Sequence, residues 1–216
     1  MKSIKARNKI IIAAVFLIGL SGFFISWKHN TNSLAPIDYI KWLKDPANGL
    51  DVSKKMGNII YTIQYETPEF IVANLKKDPI LKSSVLKTEA VNYQGMEYYI
   101  LQLKNAKSNT DVLTLSLESK DEYYTRESYF SFDFQNDIYL VRGDDTVPCA
   151  MFNYIPNYGI SPHIDFLVAF VNKKTGSNSA TVDRTIVIED KIFNNGIIKL
   201  LVKKEDINKI PSITTY

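Results

Sequence analysis

The sequence predicts a mainly β protein: a single β-rich domain, built as an antiparallel sandwich with one or two short helices, behind an N-terminal signal or anchor helix. Three observations lead there. Apolar and polar residues alternate over several stretches between positions 59 and 202, the period of a half-buried strand. The chain of 216 residues holds 13 Tyr and 11 Phe, residue types that favour strands. Asn195-Gly196 separates two apolar runs, and Asn-Gly is a strong signal for a tight turn between paired strands.

The leader comes first. Lys2, Lys5, Arg7 and Lys9 precede an uncharged run from Ile10 to Trp27. A basic flank followed by an apolar run is the layout of a secretory signal or an N-terminal anchor. The positive end stays in the cytoplasm, so everything after Trp27 is expected outside the inner membrane. The run has 18 residues, the short end for a spanning helix. Cleavage after Ser21 would put Gly19 and Ser21 at the positions where signal peptidase needs small side chains. It would also leave Gly-Phe-Phe-Ile-Ser-Trp as an apolar new terminus, so the uncleaved anchor is the preferred reading. The expected organisation is therefore an anchor or signal at 1–27, a polar tether at 28–35 and an extracytoplasmic β-rich domain at 36–216.

The domain reads as follows. Ile37, Ile40 and Leu43 recur at helical spacing after Pro36, and Asp45-Pro46 stops the helix. Asn48-Gly49 turns the chain. Ile59, Tyr61, Ile63 and Tyr65 alternate with Ile60, Thr62, Gln64 and Glu66, which predicts a strand. Thr67-Pro68-Glu69 opens a helix, with Thr as N-cap, Pro at the first helical position and an acid in the first turn. That helix runs through Phe70, Ile71 and Leu75 and ends before Asp78-Pro79. Residues 80–93 fit either a second short helix or a loop. Strands are expected from Met96 to Leu103, around Leu113, Leu115 and Leu117, around Phe130, Phe132 and Phe134, from Asp137 to Arg142 and from Ile164 to Phe170. The last pair, 185–189 and 197–202, flanks the Asn-Gly turn. Residues 172–181 read as a polar loop, and Lys204 to Ile207 as a terminal helical turn.

Composition excludes several functions. The whole chain carries 26 Lys and Arg against 23 Asp and Glu, but the leader holds 4 of those cations and none of the acids. The exported part is therefore at 22 against 23, near neutrality. A near-neutral domain does not compete for phosphate backbones, and nucleic acid is not an expected partner. Cys149 is the sole cysteine, so no intramolecular disulfide forms. Between Pro148 and Ala150 it reads as a small hydrophobe.

Candidate chemistry is sparse. His163 and Asp165 stand two apart on a predicted strand, hence on one face. Asp144 and Asp145 follow Gly143 at a turn and are the nearest acids by sequence that would join them. These four residues define the alternative of an envelope hydrolase, or two ligands of a metal site that lacks a sequence-defined third. The spacing does not demand a metal, and no metal or cofactor is expected. No G-x-S-x-G, H-E-x-x-H, G-x-x-x-x-G-K-[ST] or G-x-G-x-x-G motif occurs. Tyr123, Tyr124, Tyr129 and Tyr139 belong to the densest aromatic stretch and are candidates to line a groove for a glycan or peptide.

Tyr39-Ile40-Lys41-Trp42 with Asn48-Gly49-Leu50, Tyr65 to Phe70, and Val147-Pro148-Cys149 resemble segments of uncharacterised envelope lipoproteins from Gram-negative bacteria. Leu20-Ser21-Gly22 resembles their lipobox, but Phe23 stands where the lipid-bearing Cys belongs. The resemblance implies a cell-envelope location and no activity. The expected function is a membrane-tethered binding or assembly component of the envelope, with an envelope protein or a glycan as partner and no enzymatic activity.

Overall fold

Inward and outward residues alternate along the long strands, and the inward set forms one continuous core. The computed structural model describes residues 33–156, 160–172 and 182–216. The compact unit is Leu34–Tyr216. The expected leader lies outside the described residues, as does most of the polar loop expected at 172–181. Among the described residues no helix is long and apolar enough to cross a membrane.

Ten strands are described: β1 (Ser33–Leu34), β2 (Asp51–Met56), β3 (Ile59–Glu66), β4 (Met96–Asn105), β5 (Ile138–Arg142), β6 (Asp145–Ile155), β7 (His163–Val171), β8 (Arg184–Asp190), β9 (Gly196–Val202) and β10 (Ser212–Ile213). Eight of them form one antiparallel sheet in the order β2-β3-β4-β7-β6-β5-β8-β9, and β1 pairs with β10. The long strand β6 decides the shape. Its first part pairs with β5 from Asp145 to Pro148, and its second part pairs with β7 from Cys149 to Ile155. A bulge between Cys149 and Met151 separates the two registers, and a bulge bends its strand. The sheet thus folds over itself. Tyr61, Leu101 and Phe166 from one half share a core with Leu140, Ile188 and Leu200 from the other. Side chains tie β3 to β8 and to the turn before β9: Asn195 Nδ2 donates to Tyr61 Oη at 2.9 Å, and Tyr61 Oη donates to Asp190 Oδ2 at 2.6 Å.

The protein is mainly β, as the alternation predicts. The expected pair of separate sheets is corrected: the facing layers belong to one nearly barrel-like sheet, because β6 serves both.

Five helices accompany the sheet: α1 (Pro36–Lys44), α2 (Pro68–Lys76), α3 (Ser83–Ala90), α4 (Lys120–Ser128) and the single turn α5 (Lys204–Ile207). The hydroxyl of Thr67 caps α2 by accepting from Phe70 N at 3.0 Å, and bonds Tyr39 Oη of α1 at 2.9 Å. One N-cap therefore fixes two helices. Val72, Ala73, Leu81, Leu86 and Ala90 make a small second core between α2 and α3.

Two predicted strands are not strands. Around Leu113 the Asp111 carboxylate accepts from Leu113 N at 3.0 Å and starts a 3-10 turn over Val112–Thr114. Ser116 then sits at φ 55°, which ends any extended run. The stretch holding Phe130, Phe132 and Phe134 continues α4 as a π turn and a 3-10 turn. Residues four apart share a helical face, so Phe130 and Phe134 are buried together, while Phe132 is 70% exposed.

Candidate functional site

Cross-strand register builds a row of outward side chains across the centre of the sheet. Leu167 of β7 lies opposite Ile100 of β4 on one side and Asn153 of β6 on the other. The next row runs Glu66, Tyr98, Ala169 and Met151. Both rows face away from the core, since each alternates with buried residues such as Leu101, Val168 and Phe170. α2 folds back over this face, because the Thr67 cap reverses the chain directly after Glu66. Ile71, Asn74 and Leu75 form one wall, and Asn92 and Tyr93 close an end. The result is a groove of about 420 Å³ with a largely apolar lining. Leu75 is 65% exposed on its rim, and Met151 and Ile155 are 43% and 41% exposed. A concave apolar site with a few polar groups of perturbed pKa has the character of a small-molecule site.

Glu66 supplies the polar group. Burial against the groove wall pushes its carboxyl up to about 7, against a smaller pull downward from Lys44. Among the described residues its side chain has no hydrogen bond and no ion pair; the Lys44 ammonium instead lies over the Phe70 ring, 5.7 Å from the centroid. Tyr93 and Tyr98 stand edge to face beside it, ring centroids 5.8 Å apart.

The histidine site is placed in part as expected. His163 and Asp165 share the outer face, with Nε2 and Oδ2 3.5 Å apart. Asp165 Oδ1 accepts from Gln102 Nε2 at 2.9 Å. Ser161 Oγ lies 2.7 Å from Nδ1 and 3.1 Å from Nε2 of His163. The hydroxyl therefore sits between the two nitrogens instead of along the axis of one. An activated nucleophile needs the hydroxyl on one ring nitrogen and the orienting acid hydrogen-bonded to the other. Asp144 and Asp145 are not brought to this site. Asp165 pairs with Ile155 at the opposite end of β6 from Asp145, roughly 30 Å along the strand at about 3.3 Å per residue. Among the described residues no group of three or more His, Cys, Asp and Glu is placed to hold a metal ion.

The four tyrosines are spread over α4, the turn that follows it and β5. Tyr123 and Tyr124 touch edge to face at 5.8 Å on α4. Tyr129 donates to Asp137 Oδ2 at 2.6 Å and packs on Phe130 and Phe134. Tyr139 belongs to β5, on the face opposite the buried Ile138 and Leu140. Burial pushes the Cys149 thiol up to about 11, which keeps it protonated and unreactive near neutrality.

Two further polar groupings are built mainly from side chains that pair with one another. A cavity of about 320 Å³ is lined by Ser116, Glu122, Arg126 and Asn195. There Arg126 donates to the carbonyls of Leu113 and Leu115 and pairs with Glu122 at 2.9 Å. Inside the sheet, Glu97 Oε1 lies 2.9 Å from Arg142 and 3.5 Å from Arg184, with all three side chains buried. Arg142 also donates to Asn172 Oδ1 and Val171 O, and Arg184 to Val182 O. This cluster ties β4 to β5 and β8 across the core.

No protein-family model and no curated protein sequence matches the chain. Among solved structures it is similar to the crystal structure of a novel protein of unknown function from Burkholderia pseudomallei. The two share 12% identity at a TM-score of 0.35, over 82% of this chain and 93% of that one. At that score the likeness carries no argument about function.

Glu66 and the groove were not among the residues singled out from the sequence. The available signal was an acid at the last outward position of a strand, directly before a Thr-Pro helix start. The groove itself needs side chains from β3, β4, β6, β7 and α2.

Proposed function

We propose that this chain is a membrane-tethered binding component of the cell envelope, and that the outer groove takes a small apolar ligand. The groove carries the proposal: about 420 Å³ of concave space lined by Ile71, Tyr98, Ile100, Met151 and Leu167, over one half-buried carboxylate. Its volume lies in the range of sites that enclose small organic ligands. The apolar floor fits such a ligand better than a glycan, whose hydroxyls require many polar partners. The tether rests on the basic flank and uncharged run of residues 1–27.

Two measurements test this. N-phenyl-1-naphthylamine should gain fluorescence on the exported portion starting at Asn32, and Leu75→Asp should abolish the gain without unfolding, since Leu75 is 65% exposed. Equal fluorescence in both proteins would remove the groove from the function. The full-length chain should fractionate with membranes and the Asn32 form should not; recovery of the full-length chain in the cytosol would remove the tether.

A further inference from the structure

Building on the groove as a ligand site, we infer that its occupant is a small organic ammonium: an apolar body lies on the Ile100–Leu167 floor, and its charged nitrogen pairs with Glu66. Charge decides between ligand classes. Among the described residues, Glu66 is the only one lining the groove with a formally charged side chain, and its carboxylate has no hydrogen-bond or ion-pair partner there. A neutral apolar ligand would cover that carboxylate and remove its remaining water without replacing it, which is costly. An anionic ligand adds repulsion to the same cost. An ammonium brings N–H donors and the compensating charge together, and charge-assisted hydrogen bonds are the strong ones. Tyr98 lies opposite Glu66 in register and Tyr93 packs edge to face on it; aromatic rings beside a carboxylate add to the attraction for a cation.

The surroundings leave this place open. Lys44 from α1 is the charge that acts on Glu66, and its ammonium is engaged over Phe70. Tyr98 from β4, whose hydroxyl pKa is pushed upward by burial, and Tyr93 from the turn after α3 are the other titratable groups there. The rim amides of Asn74, Asn92 and Asn153 offer carbonyl acceptors for further N–H groups.

The test uses the full-length chain in lipid nanodiscs, labelled with ¹³C-methyl methionine. Of its four methionines, Met151 lines the groove, and Met56 on β2 serves as an internal control. The probes are 4-phenylbutylamine and 4-phenylbutanol, which share an apolar body and differ in charge. The amine should move the Met151 methyl saturably at pH 8.5, at least tenfold more tightly than the alcohol. That preference should fall to threefold or less at pH 5.5, where Glu66 is protonated and the amine is still charged. It should fall equally in Glu66→Gln at pH 8.5. Binding of amine and alcohol with equal affinity at pH 8.5, or a preference unchanged at pH 5.5, overturns the ammonium inference while leaving the apolar groove in place. Failure of both probes to move Met151 overturns the groove reading as well. The pH comparison needs no variant, so it decides the matter even where Glu66→Gln fails to fold.

Discussion

Replacing Glu66 by Gln should stabilise the fold at pH 8 and have little effect at pH 4.5. In the unfolded chain the carboxyl releases its proton near its ordinary value of 4.5; in the folded chain it does so at about 7. Between those values the folded state binds more protons than the unfolded state, so stability falls as pH rises through that window. Gln has nearly the same shape and no charge, and removes the cost. At about 1.4 kcal/mol per pH unit, the full difference corresponds to roughly 3 kcal/mol. Glu66 keeps part of its surface in water, and screening there reduces this to about 1–2 kcal/mol. For a domain of this size that is a rise in Tm of about 2–8 °C. The assay is urea denaturation of both proteins, starting at Asn32, at pH 4.5 and pH 8. A Gln variant less stable than wild type at pH 8, or a gain of equal size at both pH values, would refute the argument that burial without a partner holds this carboxyl up.

Glu97→Gln should cost about 3–5 kcal/mol, because it removes the carboxylate facing two buried guanidiniums; a shift in urea midpoint corresponding to less than 1 kcal/mol would show that the cluster is neutralised some other way. Phe134→Ala should cost about 3–5 kcal/mol, since its ring meets Phe166 at 5.0 Å and Phe130 at 5.1 Å. Phe132→Asp should leave the melting temperature within a few degrees of wild type, as its ring is 70% exposed; unfolding by that substitution would mean the aromatic turn after α4 is assigned to the wrong face.

Local information settled much of this protein. Alternation over long runs identified β3 and β7, because a period of two in apolar residues is the direct imprint of a sheet with one buried face, and the Asn195-Gly196 turn marked β8 and β9. Thr67-Pro68 marked a helix start, because capping is a contact between residues three apart. Where the pattern was short, period failed. Phe130, Phe132 and Phe134 alternate, yet positions 130 and 134 also satisfy helical spacing, and the neighbouring α4 decided between the two. Strand β6 escaped notice because Pro148 and the bulge after Cys149 interrupt its alternation, and those same features let it join two halves of one sheet.

The candidate sites divide along the same line. That His163 and Asp165 share a face was legible, being two residues apart on one strand. That Asp144 and Asp145 lie far from them was not, because the direction of β6 relative to β7 is set by long-range pairing. The groove belongs wholly to tertiary structure. Glu66, Tyr98, Met151 and Leu167 are far apart in the chain, and antiparallel register alone brings them onto one face. What makes Glu66 distinctive is how little water the folded chain leaves it and the lack of a hydrogen-bond or ion-pair partner among the described residues, and both are properties of the assembled surface.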